Sequence, residues 1–123
     1  MKIIKTKLFA KWASKNQVSD ESLSVAAKEI AIDIYEANYG GGVIKKRVAN
    51  KGRGKSSSTR TIVAFQKGKH CFFVFGFEKN AKSNISSNEE KAFKIIAKSL
   101  FAYSDLEICE KVKEGALVEV CNE

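Results

Sequence analysis

The sequence predicts an α+β fold in which a small antiparallel sheet carries helices packed mainly on one face. Helical periodicity occurs towards both ends of the chain, β-branched and aromatic residues dominate the middle, and glycine or polar clusters separate these segments. The chain has 123 residues, of which 44% are hydrophobic and 29% charged, a composition typical of globular proteins. We therefore expect residues 1–123 to form a single domain.

The first forty residues are predicted to form one strand and two helices. A strand over residues 2–6 precedes a short helix marked by apolar side chains at helical spacing over residues 8–13. A second helix is predicted to begin at Ser19 or the residue after it, because serine and aspartate cap helix N-termini. Its apolar stripe continues to Tyr35, and we expect the three glycines of 40–42 to end it.

The middle of the chain predicts three strands. Residues 43–48 form a strand that is apolar at its ends and basic inside, followed by a polar, glycine-containing loop over 50–58. Residues 59–66 and 70–77 are predicted to pair as a hairpin. The unbroken apolar run 72–75 indicates a central strand that is buried on both faces.

The last third predicts two helices and an edge strand. A capping-box pattern begins at Ser87, and apolar residues then recur at helical spacing as far as Phe101. Ser104 or the residue after it is predicted to cap a shorter helix that ends near Gly115. Residues 117–121 are predicted to form an edge strand.

Positive charge is concentrated in one segment of the chain. The net charge is +8, but residues 41–82 alone contain eleven lysines and arginines and a single acid. Residues 1–18 contain five lysines and no acid, whereas 19–40 and 83–123 are net acidic. A dense basic segment raises the local concentration of polyanions, and we expect RNA to be the ligand.

Other functional classes find little support in the sequence. The three cysteines, Cys71, Cys109 and Cys121, have neither zinc-ribbon nor CxxC spacing, and they predict buried thiols in a reducing cytoplasm. No apolar run approaches the ~20 residues that span a bilayer, so we expect no membrane association. The pattern of an NTP-binding P-loop requires glycine where Ala49 stands. We expect no metal and no small-molecule cofactor.

Four cations are candidate catalytic residues. Lys45 and Arg47 share one face of their strand, Arg60 begins the next strand, and Lys79 follows the third. In adjacent strands they can converge on one phosphate, which a guanidinium binds with two hydrogen bonds. Such a cluster stabilises the charge that develops when an RNA 2′-OH attacks the adjacent phosphate. The same residue types also serve for phosphate binding alone, so both alternatives stay open.

Further cations are predicted to bind the RNA backbone, and one histidine is a candidate acid or base. The predicted RNA-binding residues are Lys46, Lys51, Arg53, Lys55 and Lys82. His70, the single histidine, lies where a turn meets a strand. A role in proton transfer and a structural role both fit this position.

Four segments of the chain resemble a known family. They are residues 41–49 (GGVIKKRVA), 52–56 (GRGKS), 60–65 (RTIVAF) and 72–80 (FFVFGFEKN). These motifs and their order resemble the RelE/HigB superfamily of bacterial type II toxins, in particular its compact RelE-like branch. The resemblance implies a RelE-like toxin fold, a cognate antitoxin as partner, and ribosome-dependent cleavage of mRNA through a 2′,3′-cyclic phosphate.

The resemblance also implies roles for individual residues. Arg60 matches the family's phosphate-binding arginine, Lys45 and Arg47 match its basic strand residues, and Lys79 matches a second cation. Many RelE-type toxins have a tyrosine or histidine shortly after that cation, but residues 80–85 contain neither. His70 or a lysine would then have to transfer protons. The superfamily also contains ParE-type toxins, which inhibit DNA gyrase, and a non-enzymatic nucleic-acid-binding module is a further alternative.

Overall fold

The computed structural model describes residues 1–49, 58–78 and 84–120. In these ranges the chain forms four helices and one six-stranded sheet, which confirms the predicted α+β class. The strands are β1 (Ile3–Thr6), β2 (Ala37–Gly40), β3 (Val43–Ala49), β4 (Ser58–Phe65), β5 (Cys71–Glu78) and β6 (Leu117–Glu119). The helices are α1 (Lys7–Lys15), α2 (Asp20–Ala31), α3 (Ser87–Phe101) and α4 (Asp105–Glu114).

The sheet has the strand order β2-β3-β4-β5-β1-β6. All neighbouring strands run antiparallel except β1 and β5, which are parallel. The predicted antiparallel sheet is therefore confirmed, apart from this one parallel pair. It did not predict that the N-terminal strand lies between β5 and β6, because that placement depends on pairing between residues about seventy positions apart.

Helices cover both faces of the sheet, so the prediction of helices mainly on one face is wrong. On one face α1 and α2 bury Phe9, Leu23 and other side chains against the sheet; we call it the α1/α2 face. On the opposite α3/α4 face, Leu100 and Ile108 pack against strand residues such as Phe72. A central strand with an unbroken apolar run presents apolar side chains to both sides, and each side needs a helical layer to exclude water.

The second predicted helix is shorter than its apolar stripe suggests. It ends at Ala31, two residues before Asp33, whose φ of 66° is incompatible with a continuing helix. The backbone then enters the sheet, where the amide of Glu36 donates a hydrogen bond to the carbonyl of Lys45. The glycines at 40–42, all at positive φ, turn the chain from β2 into β3 instead of ending a helix.

Serine side chains cap the N-termini of three of the helices. Ser19 caps α2 as predicted, and Ser104 caps α4 within a capping box. The capping box of α3 is formed by Ser86 and Glu89, one residue earlier than predicted. In the described ranges no helix combines the length and the apolar character that crossing a bilayer requires.

A close approach of α1 to β5 gives the first testable prediction. A Cβ added at Gly76 would lie 2.3 Å from the ring of Trp12, so Gly76→Ala forces the indole to move. We expect a loss of about 2 kcal/mol in the free energy of unfolding, typical of overpacking. Urea titration measures this loss. The added substitution Trp12→Leu should recover part of it, and a double variant as unstable as Gly76→Ala would contradict the explanation.

Candidate functional site

Three of the predicted catalytic cations lie together on the α3/α4 face. Arg47 of β3 pairs directly with Arg60 of β4. Lys45 pairs with Ile62, two residues along each strand and on the same face of the sheet. Directly opposed residues have Cβ atoms about 5 Å apart, and the diagonal Lys45–Arg60 pair is about 7–8 Å apart. The structure therefore brings Lys45, Arg47 and Arg60 into one cluster, which we call the cation cluster.

Arg60 is the most constrained member of this cluster. Its side chain is half-buried, and its Nη1 atom is buried with no hydrogen-bond partner among the described residues. The residues directly across from it on the two adjacent strands are Arg47 and Phe77, neither of which can neutralise a guanidinium. An unsatisfied buried donor costs about 1–3 kcal/mol, and like charges directly opposite each other are destabilising. An anion bound at Nη1 would relieve both costs.

Lys46, predicted to bind RNA, lies on the opposite face of the sheet. Its side chain is only 4% exposed, and its ammonium contacts the Glu29 carboxylate at 2.9 Å and the Ile34 carbonyl at 3.0 Å. Strand alternation directs it towards α2 while its neighbours point the other way. The structure therefore does not bring Lys46 to the cation cluster, and the predicted RNA contact is replaced by a structural one.

His70 lies at the far end of β5 from Arg60. Arg60 pairs with Phe77, seven residues along the chain from His70, a separation of roughly 20 Å at the rise of a β-strand. The imidazole contacts the Asp105 carboxylate at 2.8 Å through Nε2, and its Nδ1 accepts from the backbone amide of Lys2 at 3.1 Å. The hydrogen bond from His70, followed by its charge, lowers the pKa of Asp105. His70 thus joins β1, β5 and α4, far from the cluster.

The remaining predicted site residues lie outside the described ranges. Lys79, predicted to be catalytic, and Lys82 follow β5 between the described segments 58–78 and 84–120. Lys51, Arg53 and Lys55, predicted to bind the RNA backbone, belong to the segment that connects β3 to β4. Their roles stay predictions from the sequence.

Comparison with known families agrees with this architecture. A family model that describes the RelE toxin of the RelE/RelB toxin–antitoxin system matches residues 1–120. The chain belongs to the RelE toxin family. A search of curated proteins found no significant match. Membership in a toxin–antitoxin family implies that this RelE-family chain has an antitoxin as its partner.

Sequence reasoning missed one polar side chain of this RelE-family chain on the cluster's face. Tyr39 lies at an irregularity in β2 and packs with the α3/α4 core, and its hydroxyl donates to Asn84 Oδ1 at 2.9 Å. Burial, followed by the charge of Glu90, raises the pKa of Tyr39. The glycines at 40–42, followed by a β-strand pattern, were a sequence signal from which β2 could have been predicted. Because the helical stripe before them continues to Tyr35, the sequence analysis instead predicted that these glycines end a helix.

Proposed function

We propose that this toxin is a ribosome-dependent mRNA endoribonuclease that needs no metal. The proposed reaction is attack of an RNA 2′-OH on the adjacent phosphate, which releases the 5′-oxygen of the next nucleotide and leaves a 2′,3′-cyclic phosphate. The observation that carries the proposal is the Nη1 atom of Arg60, buried and unpartnered among the described residues and directly opposed to Arg47. Such an arrangement is unfavourable in the free protein and favourable around a phosphate.

The chemistry assigns different tasks to the three cations. During the attack, negative charge accumulates on the non-bridging oxygens of the phosphate, and fixed positive groups stabilise it. Arg60 would donate two hydrogen bonds to those oxygens, because a guanidinium matches their geometry. Arg47 is exposed and Lys45 half-buried beside it, so both would hold the flanking backbone. Lys79 would supply a further cation, as the resemblance implies.

Among the residues that the structure describes, the two directly across from Arg60 do not transfer protons, so the proposal includes the ribosome as the partner that positions the substrate. The strand residues directly across from Arg60 are Arg47 and Phe77, and His70 is distant. A toxin that supplies mainly charge stabilisation depends on having its substrate held in a reactive geometry, and correct positioning can supply much of a rate enhancement. Binding to mRNA on the ribosome would provide that positioning, and the toxin would then act in the cytoplasm.

Mapping mRNA ends in cells tests the proposed function. The toxin is induced without its antitoxin, and the 5′ ends of cellular mRNA are sequenced before and after growth stops. We expect new cuts within translated regions that disappear when translation initiation is blocked. Growth arrest without new cuts, accompanied by gyrase-linked DNA damage, would instead support a ParE-like activity and refute this proposal.

Replacing His70 distinguishes a catalytic from a structural histidine. A general acid or base contributes about 10²–10⁴-fold to a rate. Because His70 lies far from the cation cluster, we expect His70→Gln to leave the single-turnover rate of ribosome-dependent mRNA cleavage nearly unchanged. The same variant should melt at a lower temperature, because it loses the contacts to Asp105 and Lys2. If the cleavage rate of His70→Gln falls a hundredfold while its melting temperature stays unchanged, His70 has a catalytic role and the structural assignment is wrong.

A further inference from the structure

We propose that Glu36 is the proton acceptor of the reaction assigned to the cation cluster and takes the proton from the attacking 2′-OH of the RNA. This inference rests on the proposed endoribonuclease function. It supplies a step that Arg60 cannot perform, because a guanidinium stays protonated at any working pH.

The Glu36 carboxylate is held at the outer edge of β3, next to the cation cluster. Glu36 directly precedes β2, and its backbone amide donates to the carbonyl of Lys45. Its side chain extends further along β3, where Oε1 accepts a hydrogen bond from the backbone amide of Arg47. The residue is exposed, so a bound RNA can reach it. Two contacts with β3 therefore fix the carboxylate beside the side chains that would bind the phosphate.

The same hydrogen bond indicates how far the carboxylate lies from Arg60. Because the Arg47 amide points towards Glu36, Arg47 and Arg60 form a non-hydrogen-bonded pair, whose Cα atoms are about 4.5 Å apart. Neighbouring strands are about 4.8 Å apart, so the carboxylate lies roughly 10 Å from the backbone of β4. An attacking oxygen lies about 3–3.5 Å from phosphorus, and its proton acceptor about 3 Å beyond it. A phosphate held by Arg60 can therefore present the adjacent 2′-OH to Glu36.

A carboxylate has the chemistry that this step requires. It can accept about four hydrogen bonds, so the contact with Arg47 leaves capacity for a 2′-OH. As the proton passes to the Glu36 carboxylate, the 2′-oxygen bonds to phosphorus and the bond from phosphorus to the 5′-oxygen breaks. The 5′-oxygen takes a proton from water, and the Glu36 carboxylic acid then returns its proton to the solvent. The reaction consumes no oxidant, reductant or other co-reactant.

Other candidate acceptors on neighbouring elements are less suitable. Glu90 of α3 forms an ion pair with Lys94 at 3.0 Å. Glu78 follows Phe77 in β5, so strand alternation directs it to the face opposite Arg60. A lysine of the cluster is a rival acceptor, but an ammonium has no lone pair and must lose a proton before it can accept one. The carboxylate needs no such preceding step.

Replacing Glu36 with glutamine separates proton transfer from structure. The glutamine carbonyl can still accept from the Arg47 amide, so the free energy of unfolding and the affinity for ribosomes should stay nearly unchanged. The single-turnover rate of ribosome-dependent mRNA cleavage should fall about 10²-fold or more, the loss typical of removing a general base. The matched control is Glu110→Gln, which neutralises an exposed carboxylate on α4 and should cleave like the wild type.

Chemical rescue provides an independent readout. Glu36→Ala removes the carboxylate, and added formate should restore part of its cleavage rate. Formate should not accelerate Glu36→Gln, whose side chain still occupies the place of the carboxylate. Cleavage by Glu36→Gln at the wild-type rate would overturn the assignment, as would a loss of cleavage that is matched by an equal loss of ribosome binding. If the wild-type toxin leaves ribosome-bound mRNA intact in the same assay, it is the proposed endoribonuclease function that fails.

Discussion

Replacing Arg60 with glutamine is expected to reduce the rate of ribosome-dependent mRNA cleavage about 10²–10³-fold, the loss typical of removing one donor that stabilises developing charge. The variant should be at least as stable as the wild type. In the wild-type protein the Arg60 guanidinium lies opposite Arg47, and its Nη1 atom is buried without a partner among the described residues. Replacing Arg60 therefore removes an unfavourable arrangement. Single-turnover cleavage assays and urea titration measure the two effects.

Two comparisons make the Arg60 result specific. Lys69→Gln removes an exposed cation from the turn at the opposite end of the same hairpin, and it should leave both cleavage and stability nearly unchanged. Ribosome binding by Arg60→Gln should fall far less than its cleavage rate. If binding and cleavage fall in the same proportion, Arg60 only binds RNA, and the description as a non-enzymatic module is the correct one.

Replacing Lys46 with alanine is expected to lower the free energy of unfolding by about 3 kcal/mol. The ammonium bridges Glu29 of α2 and the carbonyl of Ile34, and the aliphatic stem is buried beneath that helix. The substitution removes this packing and leaves a carbonyl without its donor. Because Glu29 is 45% exposed, water can solvate its carboxylate, which keeps the loss at the lower end of the range for broken buried pairs. Urea titration gives the value directly.

The neighbouring lysine is the matched control for Lys46. Lys45 projects from the other face of β3, so Lys45→Ala should change the free energy of unfolding by less than about 0.5 kcal/mol. It should nevertheless slow cleavage, since Lys45 belongs to the cation cluster. Lys46→Met, which keeps the length of the buried stem, should recover part of the stability lost in Lys46→Ala. Equal stabilities for Lys45→Ala and Lys46→Ala would contradict the assignment of the two faces.

Local patterns accounted for most of the secondary structure. Serine caps, helical spacing and runs of β-branched residues predicted α1, α3, α4 and the strands β3 to β5 within one or two residues. The failure at α2 has a local cause, because apolar spacing continues to Tyr35 although Asp33 already adopts a positive φ. Packing on both faces was implicit in the apolar run of β5, because a strand that is buried on both sides requires a helical layer on each.

The cluster was predictable to the extent that it depends on strand alternation. Lys45 and Arg47 had to share a face, and antiparallel pairing of β3 with β4 then brings Arg60 opposite Arg47. The position of Lys46 was equally implied by alternation, but its partner Glu29 depends on how α2 packs. The location of His70 depends on the parallel pairing of β1 with β5 and on α4, contacts between distant residues that no local pattern encodes.

End-group analysis of cleaved mRNA tests the central proposal most directly. Purified toxin is added to ribosomes programmed with a defined mRNA in the presence of a chelator, and the new 3′ ends are identified by mass spectrometry. We predict a single cut per ribosome-bound mRNA that leaves a 2′,3′-cyclic phosphate and a 5′-hydroxyl, and we predict that Arg60→Gln forms this product about 10²–10³-fold more slowly. Intact mRNA with the wild-type toxin, or an equal rate of product formation with Arg60→Gln, would contradict the assignment of the cation cluster as the catalytic site.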